Sequence, residues 1–557
     1  MRRFALTAAA LLVALVLAGC AGLPVSGPVT AGRAAGETET GPEVRFLPDG
    51  PQPGASPEEI IEGFLRAGSG TSGDWATARL FLAPAIQDVW DPSAGVTVIS
   101  VGAFIEPDVE DLSATVSLSP RATVDETGRY DPTTGTVTTL AFTLVEVDGE
   151  WRISEAPDGI VLDQSVFAAV FHAYSVMYFD TTWEYLVPDI RWYPTTNAAV
   201  RIASALIDEP PTAWLQGAVL SAFPEDVTFA WSSVPVSSGT AQVELSPEVL
   251  ALEPLTLDRM ATQLGASLAT AGILDVQLTV DGTPLETSTV TTRSTAVAGA
   301  PLVLTAAGFG FLSGTELTPI PGLSDVIEQT AARAITVGPD RVRAAVLLED
   351  GTVARATADG AVTTLDTRSG LLAPTIDPLG FVWSMPRGAP AGLGAYGEDA
   401  EVPALSSSWV SAGATDVSAI AVSRDGTRMA GVVSVGSLRE VWVSGIVRDA
   451  DGVPTRLGEP ILVGVLSGPA ASMVWADDAT LSIVVSGDSS SLVVSQPVGG
   501  AASTTAGPVG AAITSVATAA SVRLRAEDGA LYLRRGANWL QTDTGIDVLA
   551  VQQGSPQ

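Results

Sequence analysis

The sequence offers little thiol or imidazole chemistry, because its 557 residues include one cysteine, Cys20, and one histidine, His172. If Cys20 is modified, disulfides, cysteine-ligated zinc and cysteine nucleophiles are all excluded. A Ser-His-Asp triad would need His172, which lies in an apolar stretch and is predicted to be a packing residue. The sequence therefore predicts no catalytic residue, no metal site and no cofactor.

Lysine is absent as well, so all 28 basic residues are arginine, and 62 acidic residues bring the formal net charge to −34. A chain this acidic, without a basic cluster, is a poor partner for phosphate backbones. We therefore expect no binding to nucleic acid. Anionic lipid headgroups would also repel the surface, so attachment to a membrane would need more than electrostatics.

After the N-terminal segment, no apolar run reaches the ~18 residues that a transmembrane helix needs. At the start, Arg2 and Arg3 precede an apolar segment, residues 4–18. Small residues and then Cys20 follow it. This layout is typical of a secretory signal peptide over residues 1–19, with cleavage between Gly19 and Cys20.

The four residues Leu17-Ala18-Gly19-Cys20 resemble the lipobox of bacterial lipoproteins. The resemblance implies an S-diacylglycerol group on Cys20 and an acyl group, such as palmitate, on its amine. Stable anchoring needs two acyl chains, which a diacylglycerol supplies. The chain would then be held at the outer face of the cytoplasmic membrane, and residues 20–55, rich in Gly, Pro and Ala, would form a flexible tether.

The first folded region is predicted over residues 56–160. Ser56-Pro57-Glu58-Glu59 is a typical helix start, with an N-cap, a proline at the first helical position and early acidic residues. Alternating strands follow, and Val-Asp-Gly-Glu-Trp, ending at Trp151, indicates a hairpin. Helices followed by a curved antiparallel sheet resemble an NTF2-like α+β domain.

The second region, residues 161–295, alternates helices and strands. Apolar residues on one face of a predicted helix include Met260, Leu264 and Leu268. The order of elements resembles the GerMN domain, and the similarity is carried by Tyr178-Phe179, Leu186-Val187-Pro188, residues 206–211, residues 221–224, residues 243–246 and residues 276–282. The resemblance implies an α+β domain of exported proteins without known catalysis.

The third region, residues 300–557, is rich in strands and in Asp-containing turns at Asp377, Asp425 and Asp477. A four-stranded unit repeated every 40 to 50 residues or so is typical of a β-propeller, here with five or six blades. Tryptophans recur through it, and we predict that they pack between blades instead of lining a binding face. The Gly-x-Gly-x-x-Gly match at residues 392–397 is predicted to be a blade loop, because no helix is expected after it.

The order of lipobox, tether, NTF2-like, GerMN-like and propeller regions, together with the segment 166–194, resembles the actinobacterial lipoprotein LpqB family. This resemblance implies a non-enzymatic accessory protein that modulates an MtrB-type sensor kinase linked to the cell envelope and division. Two alternatives stay open. One is a binder of cell-wall glycan or peptide, and the other is a wall-directed hydrolase whose acids would come from clusters such as residues 106–111 and 477–478.

Overall fold

The computed structural model describes residues 46–556 except 101, 109–111, 134, 298, 488–490 and 517–520. These residues belong to one compact unit, Pro42–Gln557. Three modules follow one another in it: an N-terminal module (residues 57–170), a middle module (171–284) and a propeller (302–552). The predicted fold class, two α+β regions before a β-propeller, is confirmed.

The N-terminal module begins where the sequence predicts a helix. Ser56 Oγ accepts the Glu59 N–H, and the Glu59 carboxylate accepts the Ser56 N–H at 2.8 Å, so a complete capping box holds the first turn. Ile60, Ile61 and Phe64 recur at helical spacing and are buried. The helices of the module are α1 (Pro57–Ala67), α2 (Ala76–Arg79) and α3 (Gln164–Val170).

The strands of this module form two sheets and not the single curved antiparallel sheet expected from the sequence. Their orders are β5-β4-β1-β8 and β2-β3-β6-β7, and β8 runs parallel to β1. The predicted hairpin joins β6 to β7, with Asp148 and Gly149 both at positive φ. The strands are β1 (Gly95–Ile99), β2 (Phe104–Asp108), β3 (Ser113–Leu118), β4 (Pro120–Asp125), β5 (Tyr130–Pro132), β6 (Thr138–Val147), β7 (Glu150–Glu155) and β8 (Ile160–Asp163).

The middle module pairs a two-stranded hairpin, β9 and β10, with a four-stranded sheet of order β11-β12-β13-β14. One helix buries the predicted apolar face, including Met260, Leu264 and Leu268, against the hairpin and the sheet. The elements are β9 (Phe171–Phe179), β10 (Leu186–Pro194), α4 (Ala198–Ile207), β11 (Val236–Ser237), β12 (Thr240–Glu244), α5 (Pro254–Ala269), β13 (Asp275–Val280) and β14 (Thr283–Pro284).

The propeller has six sheets in the described part of the chain, within the predicted range of five or six blades. Helix α6 (Leu323–Glu328) joins blade one to blade two. The strands of blades one to three are β15 (Leu302–Thr305), β16 (Gly308–Ser313), β17 (Glu316–Thr318), β18 (Ala332–Val337), β19 (Arg343–Leu348), β20 (Val353–Thr357), β21 (Val362–Asp366), β22 (Thr375–Ile376), β23 (Val382–Ser384), β24 (Gly394–Tyr396) and β25 (Glu401–Val402).

Blades four to six continue the pattern, and in blade four both β29 and β30 pair with the long strand β28. Their strands are β26 (Asp416–Val422), β27 (Arg428–Val435), β28 (Leu438–Arg448), β29 (Pro454–Leu457), β30 (Ile461–Leu466), β31 (Ala470–Trp475), β32 (Thr480–Val485), β33 (Leu492–Pro497), β34 (Ser503–Ala506), β35 (Ala511–Val516), β36 (Val522–Ala526), β37 (Leu531–Arg535) and β38 (Asn538–Asp543).

The ring is closed by two late strands, β39 (Ile546–Leu549) and β40 (Val551–Gln552). β39 completes blade one beside β15, and β40 adds to the inner edge of blade two beside β18. The amide of Gln553 then donates to Thr375 Oγ1 of blade three at 2.8 Å. Residues 546–553 therefore tie the first three blades together, and they pair the innermost strands of blades one and two with the end of the chain.

Candidate functional site at the joint between modules

The strand β10 brings a buried arginine, Arg191, into contact with the N-terminal module. Its side chain is 1% exposed. Nε and Nη2 donate to Asp189 Oδ2 at 3.1 and 2.9 Å, and Nη1 donates at 2.7 Å to the carbonyl oxygen of Thr127. Because Thr127 lies in the turn between β4 and β5, the guanidinium links two modules.

Two hydroxyl groups, those of Thr212 and Tyr193, complete the hydrogen bonds around Arg191. Asp189 Oδ2 also accepts the Thr212 hydroxyl at 2.8 Å, and the Tyr193 hydroxyl donates to Thr127 O at 3.0 Å. Burial works to lower the pKa of Arg191, but the Asp189 carboxylate and neighbouring groups outweigh it, so this pKa is raised. Burial also raises the pKa of Tyr193 to about 12. Arg191 and Tyr193 thus keep one protonation state at neutral pH.

Trp192, the next residue, contacts all three modules. Its backbone N–H donates to Gly128 O at 2.8 Å, and its indole Nε1 donates at 2.7 Å to Gly499 O, in the turn between β33 and β34 of blade five. The indole ring packs against Phe167 and Tyr130 of the N-terminal module, with centroid distances of 4.9 and 5.8 Å. We call residues 127–128, 189–193 and 499 the joint.

A second area joins the middle module to blade four, and the segment after the middle module to blade five. The Gly445 N–H donates to Trp214 O at 3.2 Å, and the Thr295 hydroxyl donates to the Asp478 carboxylate. Burial raises the pKa of Asp478. These contacts, like those of the joint, satisfy polar groups inside the molecule, so they fix the positions of the modules and leave little for binding a substrate.

Gly128 provides a test of how closely the joint is packed. Its φ is +87°, and a Cβ there would lie 2.7 Å from the Tyr193 ring. We expect Gly128→Ala to lower the free energy of unfolding by about 2–4 kcal/mol, because left-handed strain and a steric clash act together. Gly135→Ala is the matched control, since Gly135 has φ +78° but open space around it. Urea unfolding of both variants measures the difference, and equal losses would contradict a tightly packed joint.

Comparison with known protein families shows which family models match each module. Residues 50–168 match the family model described as lipoprotein LpqB, N-terminal domain, and residues 303–549 match the lipoprotein LpqB beta-propeller domain. Together these two models cover well over half of the chain. The chain belongs to the lipoprotein LpqB family. Between them, residues 175–286 match a model described as sporulation and spore germination, where the GerMN resemblance was predicted.

Relatives in the LpqB family come from several actinobacteria. Lipoprotein LpqB of Thermobifida fusca is 33% identical over 290 residues, which are 49% of this chain and 46% of that protein. The alignment therefore spans about half the length of that relative. The proteins of the same name from Bifidobacterium longum and Mycolicibacterium smegmatis are 27% and 28% identical, and cover 81% and 85% of this chain and 80% and 85% of their own length.

Membership of the LpqB family supports the coarser sequence predictions: an exported lipoprotein that carries a β-propeller, with no catalytic activity named in the matching descriptions. The predicted lipidation and cleavage residues, Cys20 and Gly19, lie outside the described residues, as do the acidic residues Glu110 and Asp111. Lipidation of Cys20 therefore stays a prediction. No helix among the described residues is both long and apolar enough to cross a membrane.

The prediction that His172 is a buried packing residue was wrong. His172 and the next residue, Ala173, are both exposed at the start of β9, which forms a two-stranded sheet with β10. His172 pairs in register with Tyr193 of the joint. Within the described ranges, no group of three His, Cys, Asp or Glu side chains is placed to hold a metal ion.

The tryptophans of the propeller lie mostly where they were predicted. Trp383, Trp409, Trp442 and Trp475 are all buried, and Trp539 is half-buried. Each of the four buried indoles donates to a partner within the propeller, the acceptors being Asp377, Ser444, Glu440 and the Ala421 carbonyl. The Gly-x-Gly-x-x-Gly match lies in the propeller as predicted, but it is not only a loop: Gly394–Tyr396 form strand β24 of blade three, paired with β23.

The joint itself was not predicted from the sequence. Arg191 and Trp192 stand in the segment 166–194 that carried the family resemblance, but nothing in that segment names their partners. A cluster of Arg, Trp and Tyr in one strand, next to Asp189, was the available signal. Buried arginine is usually paired, but the burial of Arg191 is visible only in the structure, so the Asp-x-Arg spacing alone does not establish an ion pair.

Proposed function

We propose that the chain is a non-enzymatic, lipid-anchored accessory protein at the outer face of the cytoplasmic membrane, where it modulates an MtrB-type sensor kinase. The observation that carries the proposal is the joint, because it makes three modules of an LpqB-family lipoprotein into one body. Because the joint fixes the modules, the surface through which one module contacts a partner has a fixed position relative to the other two modules. The lipid on Cys20 would confine the search for a membrane partner to the membrane plane and raise its effective concentration.

Contact surfaces on this body are testable because exposed apolar residues occur on each module. Phe104 of the N-terminal module, Trp231 of the middle module and Leu540 of the propeller are 63%, 40% and 55% exposed. Aromatic residues such as Phe104 and Trp231 are enriched at protein interfaces, and Leu540 is the exposed apolar position tested on the propeller. The interface with the kinase is therefore sought among these three positions.

The experiment replaces each of these positions with a photo-crosslinking amino acid in the full-length lipoprotein, expressed in its native actinobacterium. Trp383, which is fully buried, is the matched control. We expect an adduct with the extracytoplasmic part of the sensor kinase from at least one exposed position and none from Trp383. Adducts with other envelope components but never with the kinase contradict the proposal, and adducts with wall glycan or peptide favour the wall-binding alternative.

A further inference from the structure

The N-terminal module contains a cavity of about 280 Å³ between helix α1 and its two sheets. Its walls include the buried side chains of Phe64, Trp90, Val124, Phe142 and Ile160. The Phe64 ring lies 5.0 Å from Trp90 and 6.0 Å from Phe142, centroid to centroid, so three aromatic rings form one side. An apolar cavity of ~150 Å³ holds benzene, so this one has room for roughly twelve non-hydrogen atoms.

The charged groups that line the cavity are all negative. Two carboxylates, those of Asp125 and Asp158, are among the described lining residues, and no arginine is. Asp158 is exposed and accepts the Asp91 N–H at 2.9 Å, whereas Asp125 lies 3.6 Å from Arg129. A ligand with a positive charge near Asp158 would be attracted, and an anionic ligand repelled.

The Asp125 carboxylate also connects the cavity wall to the joint. Its Oδ1 accepts the Thr127 N–H at 3.0 Å, the Thr127 hydroxyl at 2.7 Å and the Arg129 N–H at 3.0 Å. These bonds shape the turn whose carbonyl oxygens, on Thr127 and Gly128, accept the bonds from Arg191 and Trp192. A shift of Asp125 therefore reaches the joint through one turn.

We propose that this cavity binds a small molecule with an apolar or aromatic body and a cationic amine, and that its occupancy is felt at the joint through the Asp125 turn. A small molecule of the cell envelope could then change the contacts between the three modules by binding in this cavity. The proposal does not depend on the identity of the partner suggested above, because it rests on the cavity, its charges and the turn alone.

Three probes of nearly equal size test the charge preference: 4-phenylbutylamine, 4-phenylbutan-1-ol and 4-phenylbutyrate. Calorimetric titrations use the full-length protein in lipid nanodiscs, with empty nanodiscs as the blank for partitioning. We expect saturable binding of the amine, roughly tenfold tighter than that of the carboxylate, with the alcohol between them. Absence of saturable binding for all three probes, or tighter binding of the carboxylate, overturns the proposal.

Two variants place the site. Asp158→Asn keeps an oxygen for the Asp91 N–H but removes the charge, so it should reduce the preference for the amine over the alcohol severalfold. Leu140 lines the cavity, so the larger side chain of Leu140→Trp should fill the cavity and abolish binding. If Leu140→Trp does not fold, as judged by circular dichroism, Val161→Trp on the opposite wall replaces it. Binding unchanged in both the charge variant and the filled variant contradicts the site.

The exchange rate of a backbone amide hydrogen in the joint tests whether ligand binding in the cavity affects the joint. The backbone N–H of Trp192, bonded to Gly128 O, should exchange severalfold more slowly with the amine bound, while the Val417 N–H of the propeller, bonded to Arg387 O at 2.9 Å, serves as an internal reference away from the cavity. Slowing at Trp192 in the wild type and none in Leu140→Trp supports the proposal. Binding without any change at Trp192 overturns the connection.

Discussion

Replacing Arg191 by methionine should lower the free energy of unfolding by about 3–5 kcal/mol, because breaking a buried ion pair leaves the other charge buried and uncompensated. The Asp189 side chain is 2% exposed and would lose the two bonds from Nε and Nη2. The Thr127 carbonyl would lose a third. Urea unfolding, followed by tryptophan fluorescence, measures the loss.

Arg66→Met is the matched control for this substitution. Arg66 forms an ion pair with Glu62 at 2.5 Å on helix α1, but the two side chains are 68% and 59% exposed. Solvent screens such a pair, so its removal should change stability little. If both arginine variants unfold at the same urea concentration as the wild type, Arg191 does not hold the modules together.

The second large effect is expected at Trp409, which is fully buried in the propeller. Its indole Nε1 donates to Ser444 at 2.9 Å, and its ring meets Trp442 edge-on at 6.4 Å between centroids. Trp409→Ala should cost about 3–5 kcal/mol, since it leaves a large cavity and an unpaired hydroxyl. Thermal unfolding in a calorimeter measures this loss.

Trp231→Ala serves as its control, because Trp231 is 40% exposed in the middle module. We expect a much smaller loss there, since part of the ring is already in water. The comparison separates the two roles considered for the tryptophans. A Trp409 variant that is as stable as the Trp231 variant would mean that the buried tryptophans do not support the propeller.

Local features of the fold were predicted well because they depend on neighbours in sequence. The capping box at Ser56 and Glu59 needs residues three apart, and the hairpin at Asp148 and Gly149 needs only a turn. The strand pair around the Asp425 turn follows from the apolar run on either side of that turn. Each of these signals lies within about twenty residues.

Features that depend on distant pairs were not predicted. Trp192 and Gly499 are 307 positions apart, and Arg191 and Thr127 are 64 apart, so no local pattern links them. The pairing of β39 with β15 in blade one likewise joins strands that are far apart in the sequence. The cavity is harder still, because it results from side chains on five separate elements that fail to fill the space between them. His172 was misjudged because its apolar neighbours do not reveal that the hairpin is only two strands wide.

The lipid anchor on Cys20 is central to the proposed function, and mass spectrometry of the protein purified from native membranes tests it directly. We predict a mature N-terminus at residue 20, with the mass of a diacylglycerol on the cysteine thiol. An intact peptide that begins at Met1 and carries a free thiol, recovered from the cytosol, would contradict the anchor and with it the proposed contact outside the cell.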